Sequence, residues 1–250
     1  MSKAVALVTG ASSGIGAVTA TALARRGYLV VVHGRDERAT AGVAMAVDGV
    51  PVCADLAREG EADRLADRAL EVGRGSVAVL VNNAGFGWYG SFAEMPPGTA
   101  QRLLAVNLAA PMVLTRALLP AMRERDHGRL VYVSSIAGRV GVAGEAAYAA
   151  TKAGLDCFAD SLRGELRGTG VGVGVVVAGV IATPFFDRRG TPYDRRWPKP
   201  IPAEAAADAV LRCVERGVPE VYLPRWLRLP VAVQGVAPTA YRWLEGRFGQ

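Results

Sequence analysis

The sequence predicts one α/β domain over residues 1–250, a doubly wound parallel sheet in three layers. Three observations carry this. Short runs rich in β-branched apolar residues alternate with helical stretches along most of the chain, the pattern of a parallel sheet covered on both faces. The first run leads through a glycine-rich turn straight into a helix, as in sheets that hold ligands beyond the carboxyl ends of their strands. The 250 residues, 51% hydrophobic and without internal repeat or interdomain linker, can bury one large core.

Composition narrows the function classes. No apolar run approaches the ~18 residues that span a bilayer. The early Lys3 and the apolar residues after it run into a glycine turn without a cleavage site, so they read as a strand and not as a signal peptide. Cys53, Cys157 and Cys213 are odd in number and far apart, which points to a reducing compartment, taken as cytoplasmic, and to no disulfide framework. His33 and His127 form no metal-ligand spacing, and no metal is expected. The net charge of +6 suits anionic ligands, but without a basic stripe it does not imply nucleic acid.

In chain order, Ala4–Val8 is the first strand. Gly10-Ala-Ser12-Ser13-Gly14-Ile15-Gly16 is the turn, and the helix from Ala17 ends at Gly27. Glycines let a backbone approach a pyrophosphate, and a helix N-terminus offers free N–H groups and the positive end of its dipole. Gly10-Ala-Ser12-Ser-Gly14 also fits the nucleophile elbow of hydrolases. That reading lacks a suitable downstream histidine, since His127 sits in a polar turn, and it leaves no room for preceding strands.

Tyr28–His33 is the second strand. Gly34 stands where an acid would hold ribose hydroxyls, and Arg35 follows, placed to accept a 2′-phosphate. This favours NADP(H) over NAD(H), with Asp36 a further candidate for the ribose. The third strand, from Val50, ends at Asp55-Leu56, and Asp55 is placed to accept from an adenine amino group. A helix over Glu61–Val72 and a strand over Val77–Val81 lead to Asn82-Asn83-Ala84-Gly85. Phe86–Phe92 is an aromatic loop, a pocket wall or a packed turn. A helix over Thr99–Arg123 holds Asn107 among leucines, and Pro111 predicts a kink just after it. Such a kink frees a carbonyl that a water could use.

Arg129–Ser135 is a buried strand that places the Ser135 hydroxyl at its carboxyl end. The alanine-rich, proline-free stretch after Glu145 favours helix, so Tyr148 and Lys152, four apart, share a face. A phenol titrates near ~10, and a neighbouring ammonium lowers that value towards use near neutral pH. Such pairs are common by chance; this one gains meaning from the dinucleotide site elsewhere in the chain. Val171–Val177 is the next strand. Pro202–Arg216 is a helix and Glu220–Leu223 the last strand.

Taken together, Thr9–Gly16, Asp55, Asn82–Gly85, Asn107, Ser135, Tyr148, Lys152 and the Ile181/Thr183 segment resemble the short-chain dehydrogenase/reductase family in its compact form, over residues 3 to 185. The resemblance implies a Rossmann-like fold and assigns roles. Tyr148 gives or takes the substrate proton. Ser135 binds the carbonyl oxygen, and Lys152 lowers the Tyr148 pKa and holds the nicotinamide ribose. Asn107 holds a water linking Lys152 to solvent. Gly10, Ser12, Ser13, Gly14, Ile15 and Gly16 line the pyrophosphate. Leu56, Asn83, Ala84 and Gly85 border the cleft, and Gly179, Ile181 and Thr183 lie at the carboxamide side. Ala178 departs from the family's usual proline, and Ser13 stands where many NADP-dependent members carry a basic residue. The spacing of Tyr148 and Lys152 differs from that of the related enoyl reductases and favours carbonyl/alcohol chemistry.

The expected function is thus an NADP(H)-dependent carbonyl reductase or alcohol dehydrogenase acting on an apolar small molecule, as a homodimer or homotetramer. The alternatives are an NAD-dependent dehydrogenase and a non-catalytic dinucleotide-binding regulator. Residues 184–200, rich in proline, arginine and aromatics, are expected to form an irregular substrate lid. The tail, 224–250, is read as packing across a subunit interface or closing the pocket, in preference to lying on a membrane surface.

Overall fold

The computed structural model describes residues 3–194, 196–239 and 241–243. Arg195 of the expected lid and Leu244 of the tail lie outside the described residues. Seven parallel strands form one sheet in the order β3-β2-β1-β4-β5-β6-β9. They are β1 (Val5–Val8), β2 (Leu29–Gly34), β3 (Val50–Cys53), β4 (Val79–Asn82), β5 (Gly128–Ser135), β6 (Val171–Ala178) and β9 (Glu220–Leu223). A separate two-stranded ladder pairs β7 (Ile181–Ala182) with β8 (Ile201–Pro202). The order reverses between β1 and β4, so their carboxyl ends diverge there and leave a crevice.

Period-two alternation gives each strand two buried faces. Leu7, Val31, Leu80, Leu130 and Val175 point to one layer. It is filled by α3 (Glu61–Val72), α5 (Ala110–Glu124) and α7 (Ala146–Glu165). Ala6, Val8, Val30, Val32, Val81, Val131 and Val176 point to the other. It is filled by α1 (Gly14–Arg25), α2 (Glu37–Ala46) and α9 (Ala203–Arg216). Helix α2 was not foreseen from the sequence. Asp36 starts it, accepting from Ala39 N at 2.8 Å as its N-cap; this holds the carboxylate that was a candidate for the ribose.

The helix expected over Thr99–Arg123 is continuous to Glu124. Its interruption takes the form of a π-helical turn, Ala105–Ala109, between α4 (Thr99–Leu104) and α5. Over 99–124 it is long and apolar enough to cross a membrane by composition, which the sequence reading did not anticipate. It buries Leu103, Leu114, Leu118 and Met122 inside the domain. The short helix α6 (Ile136–Val140) follows β5, with Ser135 as its N-cap. The 184–200 segment is less irregular than expected, since it opens with a one-turn helix, α8 (Phe185–Arg188). The tail forms a 3-10 turn, Arg225–Leu227, and α10 (Arg228–Val236).

Candidate active site

A cavity of about 740 Å³ opens at the carboxyl edge of the sheet. Of the residues singled out in the sequence, Ser13, Gly14, Ile15, Arg35, Asn83, Gly85, Ser135, Tyr148, Lys152, Gly179, Ile181 and Thr183 line it. Gly10, Ser12, Gly16, Asp55, Leu56, Ala84 and Asn107 are not part of that wall. Leu56 is turned into the core, and Asp55 accepts from Ala57 N at 3.1 Å in a local turn. Asn107 is fully buried behind the wall.

The glycine turn is held open by its surroundings. A Cβ at Gly16 would come within 2.3 Å of Gly10 O and 2.6 Å of Asn83 Nδ2. Gly10 and Gly14 have φ of 64° and 55°, conformations that disfavour a side chain. Ser13, the N-cap of α1, makes no side-chain cap, so the helix's first N–H groups are left for another acceptor. Asn83 Nδ2 donates to Thr9 O and Gly10 O at 2.8 and 3.2 Å. Thr9 Oγ1 accepts from Asn83 N and Ala84 N at 3.0 and 2.9 Å. A bare turn, free helix N–H groups and a cavity of this size fit a dinucleotide's pyrophosphate.

His33 is a residue whose role the sequence did not reveal. Its Nδ1 accepts from Gly10 N at 3.2 Å, so Nε2 carries the proton and donates to Ala54 O at 3.1 Å. The neutral ring thus ties the turn to the end of β3. Burial lowers its pKa from 6.5 to about 4, against the pull of that backbone bond and of Asp55. Arg188 is a second such residue. Its Nη1 donates to Ser13 Oγ at 3.0 Å, so α8 brings a guanidinium to the turn that lacks a basic residue of its own.

Tyr148 and Lys152 share one face of α7, with Lys152 Nζ 5.8 Å from the Tyr148 ring centre. Lys152 Nζ donates to Val133 O at 2.8 Å. The expected lowering of the Tyr148 pKa is not found. Burial raises it, and a hydrogen bond with Ser135 and the charge of Arg189 oppose that only in part. Burial also brings Lys152 down from 10.5 to about 8, so its charge is itself held weakly. Asp156, one turn further along, supports that charge. Burial raises the Asp156 carboxyl to about 6 despite Arg139, whose Nε lies 2.7 Å from Oδ2 but out of line for a hydrogen bond. Ser135 Oγ accepts from Ala137 N at 3.2 Å, and its hydroxyl is paired with Tyr148, so the two groups that would meet a substrate oxygen already face each other.

The Asn107 amide is committed elsewhere. Oδ1 accepts from Phe86 N at 3.1 Å; Nδ2 donates to Phe86 O at 3.0 Å and Thr151 Oγ1 at 3.2 Å. A water near Lys152 would therefore rely on main-chain carbonyls of the π-helical turn rather than on this side chain. Gly85 is the spacer between them: a Cβ there would meet Asn107 Oδ1 at 3.2 Å and Lys152 Nζ at 3.6 Å.

Phe185 packs on Tyr148 with ring centres 5.6 Å apart, and the part-buried pair Arg189–Glu145 fastens the same segment to the start of α7. The residues after Pro184 therefore cover the cavity.

A sequence model of the short chain dehydrogenase family matches residues 4–193. The ketoacyl reductase HetN of Nostoc sp. is 34% identical over 257 residues, covering 95% of this chain and 88% of that protein. A short-chain dehydrogenase from Sphingobium yanoikuyae, solved with NADPH, has a TM-score of 0.82 at 30% identity, covering 94% of this chain and 96% of that one. A 3-ketoacyl-(acyl-carrier-protein) reductase from Brucella melitensis, solved with NADH, has a TM-score of 0.80 at 25% identity over 88% and 96% of the two chains.

Proposed function

The chain belongs to the short-chain dehydrogenase family of NAD(P)-dependent oxidoreductases, and from that premise we propose an NADP(H)-dependent carbonyl reductase or alcohol dehydrogenase acting on an apolar ketone or secondary alcohol. The observation that carries this is the meeting of Ser135, Tyr148 and Lys152 on one cavity wall beside the glycine turn. A dinucleotide sensor needs none of the three together.

When bound, the dinucleotide supplies or accepts the hydride. Gly14, Ile15 and the N-terminus of α1 hold its pyrophosphate side; Ile181 and Thr183 hold its carboxamide. Ser135 Oγ donates to the carbonyl oxygen and stabilises charge that develops there. Tyr148 passes its hydroxyl proton to that oxygen, or takes it back in oxidation. Lys152 in its charged form favours the phenolate. Its proton would be replenished from solvent by a water held on the carbonyls of the π-helical turn.

Arg35, on the cavity rim, supports the choice of NADP(H), and Arg188 adds positive charge on the phosphate side. Phe86, Tyr89, Val142, Phe185, Phe186 and Tyr193 make the substrate wall apolar and aromatic, which supports a bulky ketone or an acyl chain, as do the ketoacyl reductases among its relatives. The three cysteines are unpaired, in keeping with a cytoplasmic enzyme; a homodimer or homotetramer is the assembly expected of such a domain. A screen of ketones and alcohols with both nicotinamide cofactors, followed at the nicotinamide absorbance, tests the reading. Turnover of apolar ketones with NADPH is expected; no turnover of any carbonyl or alcohol overturns it.

A further inference from the structure

The tail helix has two apolar faces and only one is covered. Leu227 and Val231 face inward: Leu227 is buried, and its Cδ1 is the atom a Cβ on Gly179 would meet at 2.9 Å. Trp226, Leu229, Val233 and Val236 recur at helical spacing on the opposite side, and all four are exposed, Leu229 at 67% and Val236 at 89%. Trp197 extends this stripe, stacking on Trp226 with ring centres 4.9 Å apart while itself 67% exposed. Its neighbour Pro198 lines the cavity and accepts from Tyr193 Oη at 2.8 Å. The stripe therefore begins at the mouth of the active site.

The charge around it is predominantly positive. Arg225, Arg228, Arg196 and Lys199 are exposed beside it. No Asp or Glu occurs from Val221 to Trp243, and Asp194 is the one acid between Arg188 and Ala203. An isologous contact between two copies would set arginines against arginines about a two-fold axis. An anionic surface matches both components: tryptophans and aliphatic residues enter the headgroup boundary while arginines meet the phosphates.

We propose that the face formed by Trp197, Trp226, Leu229, Val233 and Val236 docks on an anionic lipid bilayer, with the cavity mouth at the lipid surface. This placement brings lipophilic substrate to Tyr148 without passage through water. None of the described tail residues lines the cavity. The docking is independent of which carbonyl is reduced.

The test is co-sedimentation of the full chain at low salt with vesicles of phosphatidylglycerol and phosphatidylcholine, and with phosphatidylcholine alone. The protein is expected to pellet with the first and not the second. The double variant Leu229→Glu Val236→Glu is expected to lose binding by at least about tenfold, with dinucleotide binding and solution mass unchanged. Protein that stays in the supernatant with anionic vesicles overturns the proposal. So does binding that survives the double variant, which would be unspecific attraction of a basic protein. A fall in the variant's solution mass overturns it too, because the stripe would then be a subunit contact.

Discussion

Arg188 Nη1 donates to Ser13 Oγ at 3.0 Å, across 175 residues of sequence. The bond joins the first turn of the segment covering the cavity to the glycine turn before α1. A guanidinium there adds a charge-assisted contact to a phosphate. Arg188→Ala is expected to weaken NADPH binding by about tenfold. Quenching of tryptophan fluorescence measures it; an unchanged dissociation constant would leave Arg188 a solvated surface residue.

Tyr148→Phe keeps the ring against Phe185 and removes only the hydroxyl. Turnover is expected to fall by ~100- to 10,000-fold, with cofactor affinity nearly intact. Activity within a few-fold of the parent protein would remove Tyr148 from the proton transfer.

Arg35→Ala is expected to lower kcat/KM with NADPH relative to NADH, since a phosphate contact is lost. Gly34→Asp is not a usable complement. A Cβ at Gly34 would lie 2.3 Å from Thr40 Oγ1 and 2.8 Å from Ser12 Cβ, so any side chain would displace the turn itself. A parent protein that already prefers NADH would contradict the role given to Arg35.

His33 makes stability depend on pH. In the unfolded chain the imidazole takes a proton near 6.5; in the fold it resists down to about 4. Its depressed folded value means that stability present above pH 6.5 is lost as pH falls through 4, by about 3 kcal/mol in all. Urea unfolding between pH 7.5 and 4 measures the slope, and His33→Asn is expected to flatten it. Parallel slopes for the two proteins would show that other groups set the acid sensitivity.

The segment after Pro184 is expected to act as a lid held down by Arg189–Glu145. Trypsin should cut at Arg188, Arg189 and Arg196 more slowly with cofactor and substrate bound. Glu145→Gln, which leaves the half-buried Arg189 without its full counter-charge, should speed cutting several-fold. Rates that ignore both the ligands and the variant would mean a fixed wall rather than a lid.

The strands and the turn were legible because their signals are local. Runs such as Val5–Val8 and Val79–Val81 can only be buried on both faces, and Gly10, Gly14 and Gly16 between a strand and a helix leave few other uses. The shared face of Tyr148 and Lys152 follows from helical spacing alone. Helix α2 was missed although Asp36 marks its start, because the same carboxylate was weighed for a ligand. Arg188 on Ser13, His33 between Gly10 and Ala54, and Asn107 held by Phe86 and Thr151 join residues far apart in the chain, and no local pattern announces them. Nor does spacing tell how dry a group is. Tyr148 next to Lys152 reads as a phenol made acidic, yet both are buried, and desolvation moves each towards its neutral form. Local sequence determined which groups meet at the carboxyl edge of the sheet. The tertiary structure decided their charge states and partners, because burial and long-range hydrogen bonds exist only once the layers have packed.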